Sequence, residues 1–368
     1  MQSESASLSR RAFVKTLSVA SAGLAATTTL PSRAQDAAPK RHIKLGLDNF
    51  AVRDMGWKVP QLIDYAAQLK TDSLFITDFD ALEKMDDDYL KEMKSRAADK
   101  GLQIQLGTWS ICPTSKSFKN KWGNADELLA LGLRMAKALG SPVLRVVLGA
   151  GEDRKTEGGI EARIADTVKV CKAQRSRALD LGVKIAVENH AGDLRAEELV
   201  ALIEAAGREY VGATMDSGNA TWALESPRQN LEILGPYALS TGIRDSALWD
   251  TVDGATLQWT AMGEGCVDWP DYFQRYGELC PQVPVQLEII SGRPIPIPYL
   301  QDDFWAPYAC VTNREFMKFI ALARGGSARQ PCGASAGQAA RGAEQEFQKA
   351  ELEQSVRYCR EEIGRAHV

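Results

Sequence analysis

Histidine is scarce in this chain of 368 residues: His42, His190 and His367 are the only three. A site built from a cluster of imidazoles, such as the multi-zinc centre of an apurinic endonuclease, is excluded on that ground. Cysteine is sparse as well, with seven residues whose spacings form no CxxC motif, so neither a disulfide scaffold nor a cysteine zinc module is indicated. Neither sign of charge dominates. Lys and Arg number 44 against 48 Asp and Glu, a net charge of −4, which leaves no basic excess to attract nucleic acid. The most apolar uncharged stretch, residues 16–30, is short for a bilayer that needs about 20 residues. What is present is 45% hydrophobic and 25% charged residues, the proportions of a folded globular protein.

The first residues read as an address. Ser9-Arg10-Arg11-Ala12-Phe13-Val14-Lys15 supplies a basic head, residues 16–30 a moderately apolar middle, and Ser32-Arg33-Ala34 a small-x-Ala cleavage site. Residues 1–34 are therefore expected to be an export signal. The arginine pair resembles the twin-arginine type, which carries folded proteins to the periplasm. No stable membrane insertion is expected after cleavage. Disulfides become permissible there, but an odd number of cysteines leaves at least one unpaired if every bridge is internal.

Downstream, short apolar runs alternate with amphipathic ones. Strands are expected at 43–47, 73–76, 102–106, 142–148, 183–187, 212–215, 238–243 and 285–290. Helices are expected at 59–69, 89–100, 125–139, 160–181, 196–206, 227–234 and 270–278. Eight strands alternating with seven helical runs over residues 42–323 predict an α/β fold, a (β/α)8 TIM barrel. A doubly wound sheet would carry a Gly-rich turn after its first strand, whereas the segment there is Asp48-Asn49-Phe50-Ala51-Val52-Arg53. Residues 325–341 are rich in Gly, Ala, Ser and Gln and read as a linker. A charged C-terminal helical extension follows at 343–363, within a tail spanning 325–368.

In a barrel the active-site loops open at the C-terminal ends of the strands. There the sequence reads Glu188-Asn189-His190, Asp216-Ser217-Gly218-Asn219, Arg244-Asp245 and Glu288. Carboxylates brought to one rim repel each other unless a cation or a proton lies among them. Oxygen ligands in this number suit Mn2+ or Mg2+ better than zinc.

These motifs resemble the sugar phosphate isomerase/epimerase superfamily, the xylose-isomerase-like barrels. Val187-Glu188-Asn189-His190, Met215-Asp216-Ser217-Gly218-Asn219, Gly242-Ile243-Arg244-Asp245, Gly263-Glu264-Gly265-Cys266-Val267-Asp268 and Leu287-Glu288-Ile289 carry the resemblance, in family order. It implies a divalent metal held by Glu188, Asp216, a histidine and Glu288, with the two glutamates moving protons on opposite faces of the substrate. The chain departs from the family at the histidine, whose place is taken by Gly242. Asn219 stands where many members have a second histidine.

The expected function is an exported sugar isomerase or epimerase that abstracts a proton beside the carbonyl of a small carbohydrate or keto-sugar. Glu188 and Glu288 are the candidate catalytic residues, and Glu188, Asp216 and Glu288 the candidate metal ligands. His190, Arg244, Asn219, Arg145, Trp109 and Asn49 are candidate substrate contacts; Arg53 ranks with Asn49. For Arg244 an ion pair with Asp245 or Glu264 is the structural alternative. Elimination from an oxidised glycoside uses the same residues, and a non-catalytic sugar-binding barrel is the alternative from another class. Homo-oligomerisation is left open.

Overall fold

The computed structural model describes residues 43–333 and 338–365. The expected export signal, His42 and His367 lie outside the described residues.

Strand β1 is Leu45–Asp48, β2 Ser73–Ile76, β3 Gln103–Ser110, β4 Val143–Val147, β5 Lys184–Glu188, β6 Val211–Asp216 and β7 Ala238–Gly242. A hairpin follows, β8 Asp245–Thr251 and β9 Gly254–Thr260, then β10 Val285–Leu287 and β11 Pro294–Ile297. Strands β1 to β7 and β10 form one parallel sheet in the order β10-β1-β2-β3-β4-β5-β6-β7. The ends meet just beyond β7, where the Ile243 amide donates to Gln286 O at 2.7 Å and the Glu288 amide to Ile243 O at 3.0 Å. The result is the (β/α)8 barrel expected from the sequence. Its strands are short aliphatic runs buried on both faces, as in Val143-Leu144-Arg145-Val146-Val147, which is how parallel strands under a helical shell are built.

Helices α1 Val59–Gln68, α2 Asp87–Asp99 and α3 Ala125–Leu139 follow the first three strands. Helix α3 shows why its ends fall where they do. Asn124 and Glu127 exchange side chain-to-backbone hydrogen bonds at its start, and Gly140 takes the left-handed conformation that ends it. The run expected at 160–181 is two helices, α4 Gly159–Ala173 and α5 Arg175–Leu181. They meet at Gln174, where ψ opens to 9° with no Gly or Pro to announce the break. Helices α6 Ala196–Ala206, α7 Ser217–Trp222, α8 Pro227–Leu234 and α9 Trp269–Leu279 complete this part of the shell.

Two additions depart from the plain repeat. The β8–β9 hairpin and β11 form a separate antiparallel sheet, order β11-β9-β8, against which α10 (Asn313–Gly325) packs. Leu224, Leu248, Leu257, Ile297 and Phe319 form its own small core. The C-terminal helix α11, Gln338–Arg365, packs on β1, β10 and α9. Its Leu352, Val356, Cys359 and Ile363 are buried in the same core as the barrel. This helix thus stands at the seam of the first and last barrel strands, where the eighth helix of the repeat belongs. The sequence pattern predicts the helix but places it in a tail, outside the barrel. All seven cysteines are free thiols. Among the described residues no helix is long and apolar enough to cross a membrane.

Candidate active site

Three strands deliver the carboxylates. Glu188 is the last residue of β5, Asp216 the last of β6, and Glu288 follows β10 directly. One oxygen from each lies within 4.8 Å of the others, and all three side chains are buried. Asn189 locks two of these strand ends together. Its amide donates to Asp216 O at 2.9 Å, and its carbonyl accepts from the Asp216 amide at 2.8 Å.

Two buried guanidinium groups neutralise the cluster. Arg145, the third residue of β4 rather than its end, points into the barrel below the rim. Its Nε donates to Glu188 Oε2 at 2.6 Å and its Nη1 to Thr108 O at 3.1 Å. Arg244 lies just past β7 and donates to Asp216, and the same Nη2 lies 3.3 Å from Glu288 Oε2. Its guanidinium sits 4.1 Å from the Trp259 ring centre, a cation–π contact. Asp245 does not pair with it. That carboxylate accepts from the Gly263 and Gly265 amides and the Trp269 indole at 2.8–3.0 Å, so the Gly263-Glu264-Gly265 motif serves the fold.

Asn219 belongs to the cluster on both sides. Its backbone amide donates to Asp216 Oδ1 at 2.7 Å, capping α7, and its side-chain amide donates to Glu188 Oε1 at 3.3 Å.

The electrostatics separate the acids. Burial pushes Glu188 up, but the Arg145 guanidinium, aided by Arg244, outweighs it and holds the carboxyl below its ordinary value. Burial raises Asp216 well above the ordinary range; Glu288 and Glu188 add to that rise, and Arg244 opposes it. The two neighbouring carboxyls are thus shifted in opposite directions.

His190 and Trp109 border this cluster at the mouth. His190 Nδ1 lies 2.7 Å from Gly149 O, an atom that only accepts, so Nδ1 carries the hydrogen and Nε2 presents its lone pair. Burial lowers the imidazole's pKa and keeps it neutral. Trp109 is 38% exposed, lies edge-on to His190 at 5.9 Å and hydrogen-bonds Asp78 through its indole at 3.1 Å. Trp109, Ser110, Ser117, Lys119, Val147 and His190 line a cavity of about 270 Å³.

Asn49 falls outside the cluster. Its side-chain oxygen accepts from the Thr77 amide at 2.7 Å, tying the loop after β1 to that after β2. The neighbouring Asp48 is the residue that matters electrostatically. It is buried at the end of β1 and raised well above its ordinary value, first by burial and then by repulsion from Glu288. The strand-end rule that located Glu188 and Asp216 applies equally to Asp48. Arg53 turns back on its own loop, donating to Phe50 O at 3.2 Å.

Whether these residues fit a resident divalent cation is decided by what the carboxylates already hold. A hard cation takes six or more oxygens at about 2.0–2.6 Å. Here Arg145, Asn219, the Asn219 backbone and Arg244 already place N–H groups against both oxygens of Glu188, both of Asp216 and one of Glu288. A Cβ on Gly242 would stand 3.0 Å from Asp216 Oδ2 and 3.0 Å from Glu288 Oε2, so a histidine there would point straight at the acids. Those two oxygens instead face the Arg244 guanidinium. The acidic triad converges as a metal site would, yet with its present partners it does not fit a bound Mn2+ or Mg2+.

Barrel, rim and acidic triad together define a TIM-barrel protein with a polar site at the C-terminal mouth. The chain belongs to the xylose isomerase-like TIM barrel family, whose sequence pattern matches residues 39–294. A curated relative, the 3-oxo-isoapionate decarboxylase of Pectobacterium atrosepticum, is 22% identical over 220 residues, covering 58% of this chain and 72% of that protein. Among solved structures, D-psicose 3-epimerase in the presence of D-fructose superposes with a TM-score of 0.53 at 15% identity, covering 85% of this chain and all of the other. The IOLI protein with a binding zinc atom gives 0.53 at 16% identity, covering 76% and 97%. At these identities the structural likeness establishes the fold.

Proposed function

We propose that this protein is a sugar-modifying enzyme that takes a proton from the carbon beside the carbonyl of a keto-sugar, and that isomerisation or epimerisation is the outcome. The observation that carries this reading is the meeting of Glu188, Asp216 and Glu288 with two guanidinium groups at the barrel mouth.

Glu188, kept ionised by Arg145, is the base. It takes the proton, and the C–H electron pair moves into the carbonyl to give an enediolate, whose oxygen needs a positive charge close by. Glu288, on a different strand, returns a proton. Delivery to the opposite face inverts the carbon, and delivery to the neighbouring carbon isomerises the sugar. Trp109 and His190 at the mouth present a ring face and a hydrogen-bond acceptor to the sugar. The protein acts after export: residues 1–34, with Arg10 and Arg11 before an uncharged stretch, support twin-arginine passage to the periplasm.

A second reading has its own support in the decarboxylase relative. Loss of CO2 from a 3-oxo acid leaves its electron pair on the same enolate, so the same charge stabilisation would serve, with Glu288 protonating the carbon.

The test is deuterium exchange from D2O into D-fructose, D-psicose and 3-keto-glucosides, followed by NMR. Exchange is expected in wild type, with a loss of about 10²–10⁴-fold in Glu188→Gln and in Glu288→Gln. Exchange equal to wild type in both variants rejects the mechanism. Binding of these sugars without any exchange makes the protein a carbohydrate-binding barrel.

A further inference from the structure

Residues 242 and 244 stand on either side of Ile243 at the end of β7, and both address the same two carboxylate oxygens. The missing side chain of Gly242 leaves open the space in front of Asp216 Oδ2 and Glu288 Oε2, and the guanidinium of Arg244 reaches those very atoms. The arrangement is built for it. A Cβ on Gly218 would collide with Nε, Cγ and Cδ of Arg244, so only glycine lets that stem lie across the start of α7. Trp259 covers the guanidinium, and its own indole is fixed by a 3.1 Å hydrogen bond to Gly218 O. Ser217 Oγ donates to Arg244 O at 2.8 Å and accepts from Arg244 N at 3.0 Å, which pins the backbone.

We propose that Arg244, seated through Gly218, Trp259 and the gap at Gly242, takes the place of a divalent cation, and that this site works without a bound metal. The proposal rests on the enediolate reading above. In it the proton goes to Glu188, the electron pair moves to the carbonyl oxygen, and Arg244 donates an N–H to that oxygen. No electron is exchanged with any other reactant. A guanidinium suits this position because it remains charged at every working pH and presents several donors in one plane, so one group can hold Asp216 and Glu288 and still face a substrate oxygen.

The experiment measures metal binding on the exported form, independently of turnover. After EDTA treatment and dialysis, Mn2+, Mg2+ and Zn2+ are titrated by calorimetry and Mn2+ also by electron paramagnetic resonance. Wild type is expected to show no saturable Mn2+ site up to about 1 mM, the weak end of protein sites for hard divalent cations. Arg244→Met is expected to bind Mn2+ at least about tenfold more tightly than wild type, because Asp216 and Glu288 lose their cation. Gly242→His combined with Arg244→Met, which adds a nitrogen ligand, should bind more tightly still. One equivalent of metal retained by wild type through gel filtration overturns the proposal. So does an Arg244→Met protein with an unchanged circular dichroism spectrum and no gain in Mn2+ affinity. Should that variant not fold, the wild-type titration decides alone. Deuterium exchange that EDTA abolishes and Mn2+ restores would overturn this inference and leave the enzymatic reading standing. A protein that neither binds metal nor exchanges any sugar proton would leave the metal-free site intact and reject the enzymatic reading.

Discussion

Arg145 Nε and Glu188 Oε2 lie 2.6 Å apart, and both side chains are 2% exposed. Neither charge has enough water to be solvated, so each depends on the other. The pair comes from adjacent strands in register, with Arg145 opposite Ala186 and the carboxylate two residues further along β5. Arg145 therefore sits one layer beneath the acid it supports. Its place in mid-strand makes it a positioning residue for Glu188.

Removing that support leaves a buried carboxylate unpaired. Arg145→Met is expected to cost about 3–5 kcal/mol at pH 7, read from urea denaturation. Glu188 has its folded pKa depressed, so the stability it contributes is present above its unfolded value near 4.3 and is lost as pH falls through the folded value. The deficit of the variant should accordingly shrink in acid. Adding Glu188→Gln to Arg145→Met should recover most of the loss at pH 7. A single variant as stable as wild type at pH 7 would show that the pair is not what keeps Glu188 charged.

A second buried acid works in the opposite sense. Glu225 accepts from the Ala196 amide at 3.0 and 3.1 Å and from Asn230 at 3.3 Å, and burial pushes it up to about 7. A carboxyl with a raised folded pKa favours folding below its unfolded value, and that contribution is lost as pH rises toward the folded value. Asp193, also raised by burial to about 7, adds to the same trend. Between about pH 4.5 and 7 these two groups make the protein less stable as pH rises. Thermal midpoints measured across that window should fall for wild type and fall less steeply for Glu225→Gln. Identical slopes would assign the trend to other groups.

The sequence exposed the barrel because each strand is a short aliphatic run between amphipathic helices, and that pattern is local. Glu188, Asp216 and Glu288 were legible for the same reason, since each ends such a run. The gap at Gly242 was visible as a departure from the family pattern, but its consequence was not. That Arg244 fills the gap depends on Gly218 and Trp259, which approach it from 26 residues before and 15 after. Such contacts exist only once the β8–β9 hairpin has folded over the mouth. Asp48 was open to the strand-end rule and was passed over for its neighbour Asn49. The hairpin was missed because β8 changes from buried to exposed along its length, giving no clean alternation.

The C-terminal helix carries a signal of its own. Leu352, Val356, Cys359 and Ile363 recur at intervals of four, three and four residues, one face of a helix. The strongly charged sequence around them made the segment read as a tail, yet this face is buried in the barrel core. Residues on and beside the same face add polar ties across the seam. Gln345 donates to Asp54 O at 2.8 Å, Ser355 Oγ accepts from the Met262 amide at 3.0 Å, and Arg360 donates to Leu69 O and Lys70 O. Ending the chain before Gln338 would strip β1 and β10 of their cover and expose apolar surface that four buried side chains now fill. The truncated protein is expected to lose its cooperative thermal transition or to aggregate. Leu352→Ala in the full chain should cost about 2–5 kcal/mol, the range for a large-to-small change in a packed core. A truncated protein that melts cooperatively at the wild-type temperature would mean that the barrel closes without its eighth helix.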